Sequence, residues 1–394
     1  MPVPSQRLQT LPPYAFAVIG QRIREMSQAG IDIIRIDIGN PDMPPADFVV
    51  DALHQSAQKA DHHGYSGYSG TPTFRQAVAR YYQKRFGVTL NPDTEVLPLL
   101  GSKEGLVNLA LAYLDQGDVS LVPDVGYPSY AMGTRLAGAD IYWVPMRPEN
   151  GFLLDLDAIP EDVRERAKLL WINYPNNPTG AIASMTFLER VVRFCADNDI
   201  LLVSDNPYVE ITYDGYVAPS ALEVVGSLDH TVEYMSFSKS HNMAGWRLGA
   251  AVGASKALKT LLQVKSNVDS GHFKAVYDAG IAALDHTSDE WMQERNLIYQ
   301  NRRDMLMEAL PDMGLEAVKS KATLYIWAKV KEMDATTYVE QALTDAHVSM
   351  APGATYGPGG EDYVRISLSV PDERLKLAIE RLKQWYATRS QVEV

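Results

Sequence analysis

Ser236-Phe-Ser-Lys239-Ser-His-Asn-Met-Ala-Gly245-Trp-Arg247-Leu-Gly249 joins two short apolar runs, Val232 to Ser236 before it and Leu248 to Val252 after it. Lys239 follows the first run directly, with Ser236 and Ser238 beside it and Arg247 eight residues on. A lysine used as a nucleophile must be partly neutral, and partial burial beside other cations moves it toward that state. Hydroxyls and a guanidinium near one amine suggest a phosphate held next to it. The glycines at the end of the segment let backbone approach a bound group closely. Most lysines are solvated surface charges, so the segment carries the inference and the residue alone does not.

Working outward, the two flanking runs belong to a series. Val96 to Leu100, Val119 to Val122, Ile141 to Val144, Lys168 to Ile172 and Ile200 to Val203 precede them, with helical stretches between. That alternation predicts about seven strands of a mostly parallel α/β sheet. Lys103 to Leu114, Thr186 to Ala196 and Lys256 to Val264 carry apolar residues at helical spacing and are expected to cover its two faces. After about residue 285 the pattern changes to long polar helices, Asp289 to Leu310 and Asp372 to Thr388, around strands such as Ala322 to Val330 and Tyr363 to Ser369. We expect an amino-terminal arm with part of a small domain over 1–44, a large domain over 45–284 and a smaller α+β domain over 285–394. The Gly/Pro cluster Ala351 to Gly360 reads as a structured loop.

Composition narrows the function classes. The chain carries 36 Lys and Arg against 49 Asp and Glu, a net charge of −13, which argues against nucleic-acid binding. An anionic cofactor or substrate then needs local positive groups, so individual arginines become informative. The single cysteine, Cys195, cannot form an intrachain disulfide and suits a reducing cytoplasm. No run approaches a membrane span and the amino terminus does not read as a signal peptide. Asp61-His62-His63 is the only local gathering of possible metal ligands, and it reads as a polar loop, so no metal is expected.

Two other stretches carry chemistry at the ends of predicted strands, and a third lies within one. Gly101-Ser102-Lys103-Glu104-Gly105 opens a helix whose free N–H groups and Ser102 hydroxyl suit a phosphate. Asp205, in Ser204-Asp205-Asn-Pro-Tyr208, stands at the carboxyl end of a strand, where open α/β sheets bind ligands, although such a residue also serves as a helix or turn cap. Arg365, in Tyr363-Val-Arg365-Ile-Ser, offers the planar fork that a carboxylate requires, although a lone strand arginine more often faces solvent.

The Lys239 segment closely resembles the cofactor-lysine signature of the class I/II aminotransferases, pyridoxal-5′-phosphate (PLP) enzymes of fold type I, and the match runs over nearly the whole chain. The resemblance implies that Lys239 carries PLP as a Schiff base and then moves the proton between the substrate α-carbon and the cofactor. It implies that Asp205 pairs with the pyridine nitrogen. Asn177, in Asn173-Tyr-Pro-Asn-Asn177-Pro-Thr-Gly180, and Tyr208 would face the phenolic oxygen, though an Asn-Pro turn alone has an ordinary reading. Gly101, Ser102, Lys103, Ser236, Ser238 and Arg247 would hold the phosphate, and Tyr127, in Asp124-Val-Gly-Tyr127-Pro, would stack on the ring. Arg365 and the backbone of Gly39 would take the substrate α-carboxylate, together with Asn177. Tyr65 matches a tyrosine donated to the phosphate of the neighbouring subunit, which implies a homodimer with shared active sites.

The implied activity is ping-pong transfer of an amino group between an L-amino acid and a 2-oxo acid such as 2-oxoglutarate. Within the family, the wording GSKEG, NYPNNPTGA and SFSKxxNMxGWR is most similar to the bacterial LL-diaminopimelate aminotransferase branch, which serves lysine biosynthesis. Ser240-His241 and Asp205-Asn206-Pro207 depart from that branch's usual wording. Aspartate or alanine transamination, or carbon–sulfur lysis on the same fold, remain alternatives, as does a non-catalytic binding protein on this scaffold. The arm Leu11 to Val18 is expected either to fold over the site or simply to pack.

Overall fold

The computed structural model describes residues 1–9, 11 and 15–390. Pro12, Pro13, Tyr14 and the side chains of residues 15–18 lie outside that description, and with them the course of the expected arm over the site.

A seven-stranded sheet forms the centre of the large part of the molecule. Its strands are β1 (Val96–Leu99), β2 (Val119–Pro123), β3 (Asp140–Val144), β4 (Ala167–Ile172), β5 (Leu201–Asp205), β6 (Thr231–Ser236) and β7 (Gly249–Gly253), in the spatial order β1-β7-β6-β5-β4-β2-β3. Only β7 runs against the others, pairing antiparallel with β1 and β6. The strands are apolar at nearly every position because both faces are covered. On β4, Leu169 and Trp171 enter one core cluster while Leu170 and Ile172 enter another across the sheet. Helices Ser102–Tyr113 and Ser255–Lys265 contribute to the first cluster, and Met185–Asp197 to the second. All seven predicted strands and all three covering helices form, with ends shifted by a residue or two.

The smaller sheet contains β8 (Leu315–Ala317), β9 (Tyr325–Val330), β10 (Ala351–Pro352) and β11 (Tyr363–Ser367), ordered β10-β11-β9-β8 and antiparallel throughout. It packs with helices Asp289–Ala309, Ala335–Thr344 and Asp372–Ser390 around a core of its own. A strand pairing of Ile34–Arg35 with Val348–Ser349 ties the beginning of the chain to this part. Strand β9 starts at Tyr325, later than the expected Ala322, because Thr323 takes a left-handed φ of 75° and Ala322 bridges instead to Thr212. The Gly/Pro segment expected to be a loop begins as β10, where Ala351 pairs with Arg365, and continues in two short 3-10 turns.

Candidate functional site

The carboxyl ends of β4, β5 and β6, the turn after β1, and strands β9 and β11 of the small sheet converge on a cleft of about 660 Å³. This is where the reversal in an open α/β sheet leaves a crevice. Gly39, Ser102, Lys103, Tyr127, Asn177, Asp205, Tyr208, Ser236, Ser238, Lys239, Arg247 and Arg365 all line it. Gly101 sits immediately behind the wall: a Cβ there would fall 2.4 Å from Nη2 of Arg247. Tyr65 does not line the cleft and is 90% exposed on the single chain.

The turn after β1 presents backbone donors. Gly101, with φ 77° and ψ 158°, caps helix Ser102–Tyr113 without any side-chain hydrogen bond, and the start of a helix is where backbone N–H groups can meet an anion. The turn can lie this close to the sheet because residue 249 is glycine: a Cβ there would sit 2.8 Å from the Met235 carbonyl and 3.2 Å from the Ser102 nitrogen. Glu104 anchors the helix from behind, accepting from the Leu100 N–H at 3.1 Å and from the buried Lys265 ammonium at 3.1 Å. Arg247 holds a left-handed φ of 57°, with its carbonyl 2.7 Å from Nε2 of His272 and its guanidinium donating to the Ala244 carbonyl.

On the opposite side, Asp205 is buried at the end of β5. Tyr130 donates to its Oδ2 at 2.8 Å, and Oδ1 has no partner among the described residues. Burial pushes this carboxyl up to about 7 despite the Tyr130 hydrogen bond that opposes the shift. Asn173 braces the same end, donating to the Asp205 carbonyl at 2.6 Å and accepting from the Asn177 N–H at 2.6 Å. The Asn177 side chain accepts from Arg365 at 3.0 Å, which leaves its amide hydrogens to donate elsewhere.

Arg365 is held by hydrogen bonds and by ring faces. Its guanidinium donates to Asn177 and, at 2.6 Å, to the Asp37 carbonyl, and it lies 4.0 Å over the ring centroid of Tyr325. Lys239 donates to the Gly39 carbonyl from a half-buried position. Burial, with Arg365 and Arg247 adding to it, lowers the amine below the ordinary lysine range, while Tyr325 works the other way. The Gly39 backbone passes so near Tyr325 that a Cβ there would be 1.9 Å from its hydroxyl. Tyr325 and Tyr208 meet hydroxyl to hydroxyl at 3.0 Å.

Among the described residues, six basic side chains on the wall (Arg24, Arg35, Lys103, Lys239, Arg247 and Arg365) face two acidic ones, Asp37 and Asp205. In a chain of net charge −13 this is the local positive excess that an anionic cofactor and a carboxylate substrate require. Tyr130, Asn173, Asp37 and Tyr325 were not picked out as site residues from the sequence. Tyr130 follows Tyr127 by three residues and Asn173 precedes Asn177 by four, so local spacing could have found both. Tyr325 sits in an ordinary apolar strand pattern that gives no signal. Ser240 and His241 lie behind the wall, hydrogen-bonded to each other at 2.7 Å; burial, with Arg295 nearby, drives His241 down to about 3.

The model of the class I and II aminotransferases matches residues 31–382. The chain belongs to the class I and II aminotransferase family. This aminotransferase is 47% identical over 381 residues to LL-diaminopimelate aminotransferase of Moorella thermoacetica, covering 96% of this chain and 97% of that one. It is 46% identical over 382 residues to the enzyme of the same name from Desulforudis audaxviator, covering 97% of each. Among solved structures it is similar to apo BacF from Bacillus subtilis, with a TM-score of 0.94 and 34% identity over 98% of this chain and 99% of that one. A mutant aspartate aminotransferase from Thermus thermophilus superposes with a TM-score of 0.91 at 29% identity, over 98% of this chain and all of that one.

The cofactor of this aminotransferase is pyridoxal 5′-phosphate. The cleft fits it on its own terms. The partnerless Oδ1 of Asp205 awaits a donor such as a ring N–H. The uncapped helix start beside Ser102, Ser236, Ser238 and Arg247 suits a phosphate dianion. Lys239 lies on the same wall with its ammonium form disfavoured.

Proposed function

We propose that this aminotransferase takes LL-diaminopimelate as its amino-acid substrate and 2-oxoglutarate as the oxo-acid acceptor. The observation that carries this reading is the run of relatives named LL-diaminopimelate aminotransferase at 44 to 47% identity over nearly the full length of both chains.

Each wall residue then has a task. Bound PLP supplies an electron sink for the charge left when the substrate α-carbon loses its proton. Lys239 is the covalent anchor, and its freed amine takes that proton and returns it at the far end of the transfer. Asp205, fixed by Tyr130, offers Oδ1 to the ring nitrogen and keeps a proton there. Asn177 and Tyr208 donate to the ring oxygen, and Tyr127 stacks on the ring. Gly101, Ser102, Lys103, Ser236, Ser238 and Arg247 grip the phosphate, with Tyr65 reaching in from the neighbouring subunit of a homodimer. Arg365 forks onto the substrate α-carboxylate beside the Gly39 backbone. The single cysteine is buried, which suits work in the cytoplasm.

The test is a half-reaction screen. Single amino acids are added to the holoprotein, and conversion of its visible absorption to that of the aminated cofactor is followed. LL-diaminopimelate and glutamate should convert it, whereas aspartate and alanine should do so much more slowly. Fast conversion by aspartate with none by LL-diaminopimelate would reassign the substrate, and release of pyruvate from a sulfur amino acid would point to lysis.

A further inference from the structure

Tyr325 enters the cleft from β9 of the small sheet and meets Tyr208, which follows β5 of the large one, at 3.0 Å between hydroxyl oxygens. The contact is buried and fixed from three directions. The Arg365 guanidinium lies over the Tyr325 ring, 4.0 Å from its centroid. The Gly39 backbone closes on the Tyr325 hydroxyl. The two rings meet edge to face, 5.6 Å between centroids.

A phenol has one proton to give. In the reading above Tyr208 gives its proton to the ring oxygen of the cofactor, so the contact between the two tyrosines must be filled by the proton of Tyr325. The charges around the pair favour that direction. Burial opposes ionisation of both hydroxyls, but Arg365 and Lys239 together make Tyr325 the more acidic, whereas on Tyr208 the pull of Arg365 is opposed by the Asp205 carboxyl. A hydroxyl that accepts a hydrogen bond is polarised and donates more strongly.

We propose that Tyr325 is a positioning residue that donates to Tyr208, strengthens Tyr208 as a donor to the ring oxygen, and so sets the pH at which the Lys239 nitrogen, joined to the cofactor, keeps its proton. This rests on the assignment of PLP to Lys239 and of the ring oxygen to Tyr208. The sign follows from charge. Donors at the ring oxygen stabilise its negative charge and loosen its hold on the neighbouring nitrogen's proton. Removing the Tyr325 hydroxyl weakens Tyr208, and the nitrogen then keeps its proton to higher pH.

The experiment titrates the visible absorption of the holoprotein across the neutral range for wild type, Tyr325→Phe, Tyr208→Phe and the double variant. Tyr325→Phe keeps the ring beneath Arg365, so thermal melting and the KM for the amino acid should hold. Its absorption midpoint should rise by about 0.3 to 0.6 pH unit, the scale of a fractional change in one charged hydrogen bond. Tyr208→Phe should raise it further, and the double variant should match Tyr208→Phe alone. An unmoved midpoint in Tyr325→Phe, or a shift that persists when Tyr208 is already Phe, overturns the proposal. Lys239→Ala separates the two levels. Loss of the pH-dependent band in that variant upholds the lysine assignment whatever Tyr325 does, and its survival removes that assignment and this proposal together.

Discussion

Tyr130 donates to one carboxylate oxygen of Asp205 at 2.8 Å and leaves the other buried with nothing among the described residues to meet it. A half-satisfied buried carboxyl is costly to leave so, which marks Oδ1 as the face turned to a ligand. Asp205→Asn keeps the shape and removes the charge that, in the proposed role, holds a proton on the ring nitrogen. We expect kcat to fall about 10²- to 10³-fold, as for other lost preorganised charges, with the cofactor still bound. Single-turnover spectra with glutamate check it: slowed conversion with retained cofactor is the expected outcome, and full-speed conversion removes Asp205 from this role.

The same carboxyl makes a pH prediction for the cofactor-free protein. Its folded value of about 7 lies above the unfolded value of about 3.9. The folded state therefore binds the proton more tightly, and the contribution to stability is present below pH 4 and lost as pH rises through 7. Cofactor-free Asp205→Asn should be more stable to denaturant than cofactor-free wild type at pH 8, by up to about 4 kcal/mol. That advantage should shrink steadily toward pH 4. Added PLP should reverse the order at pH 8, because the ring N–H then satisfies Oδ1 in the wild type alone.

Arg365 reaches Asn177 and the Asp37 carbonyl at once and still presents its plane over Tyr325. A lysine ammonium cannot replace that fork. Arg365→Lys should lower kcat/KM for amino acids roughly 10- to 200-fold, the scale of one lost charged hydrogen bond, mostly through KM. The visible absorption of the resting holoprotein should not change. A primary amine lacking a carboxylate should react equally slowly with both proteins, and a difference there would argue that the arginine does something else.

The central sheet was legible because its strands are buried on both faces and so stand out as apolar runs, and each of the seven appears within a residue or two of its expected place. The residues gathered in the cleft were legible for a related reason: Asn177, Asp205, Lys239 and Ser102 all stand at or just after strand ends, where an open sheet must leave its crevice. What sequence could not give was contact between distant elements. Tyr208 and Tyr325 are 117 positions apart and meet only because β9 of the small sheet is laid against the large one. The start of β9 was misplaced for a similar reason, since the bridge from Ala322 to Thr212 is a long-range choice that no local pattern records.

Gly101 combines φ 77° with ψ 158°, a region that other residues essentially do not enter, and stands where a Cβ would press on Arg247. Gly101→Ala must therefore shift either the helix start or the arginine. We expect a stability cost of about 1–3 kcal/mol and a clear rise in the Kd for PLP, measured by equilibrium dialysis. Unchanged PLP affinity would mean that neither the turn nor Arg247 bears on the phosphate.

Tyr65 offers the sharpest test of a shared site, because it is exposed on the single chain and does not line that chain's own cleft. Two inactive proteins, Lys239→Ala and Tyr65→Ala, are dissociated, mixed in equal amounts and reassembled. If Tyr65 serves the partner's cleft, each mixed dimer holds one cleft with Lys239 from one subunit and Tyr65 from the other. Random pairing then restores about a quarter of the wild-type sites. If Tyr65 served its own chain, no mixed dimer would contain an intact site and mixing would restore nothing. Recovery of activity that rises with heterodimer content, followed by native mass spectrometry, is the expected outcome; flat activity at every mixing ratio would return Tyr65 to the surface.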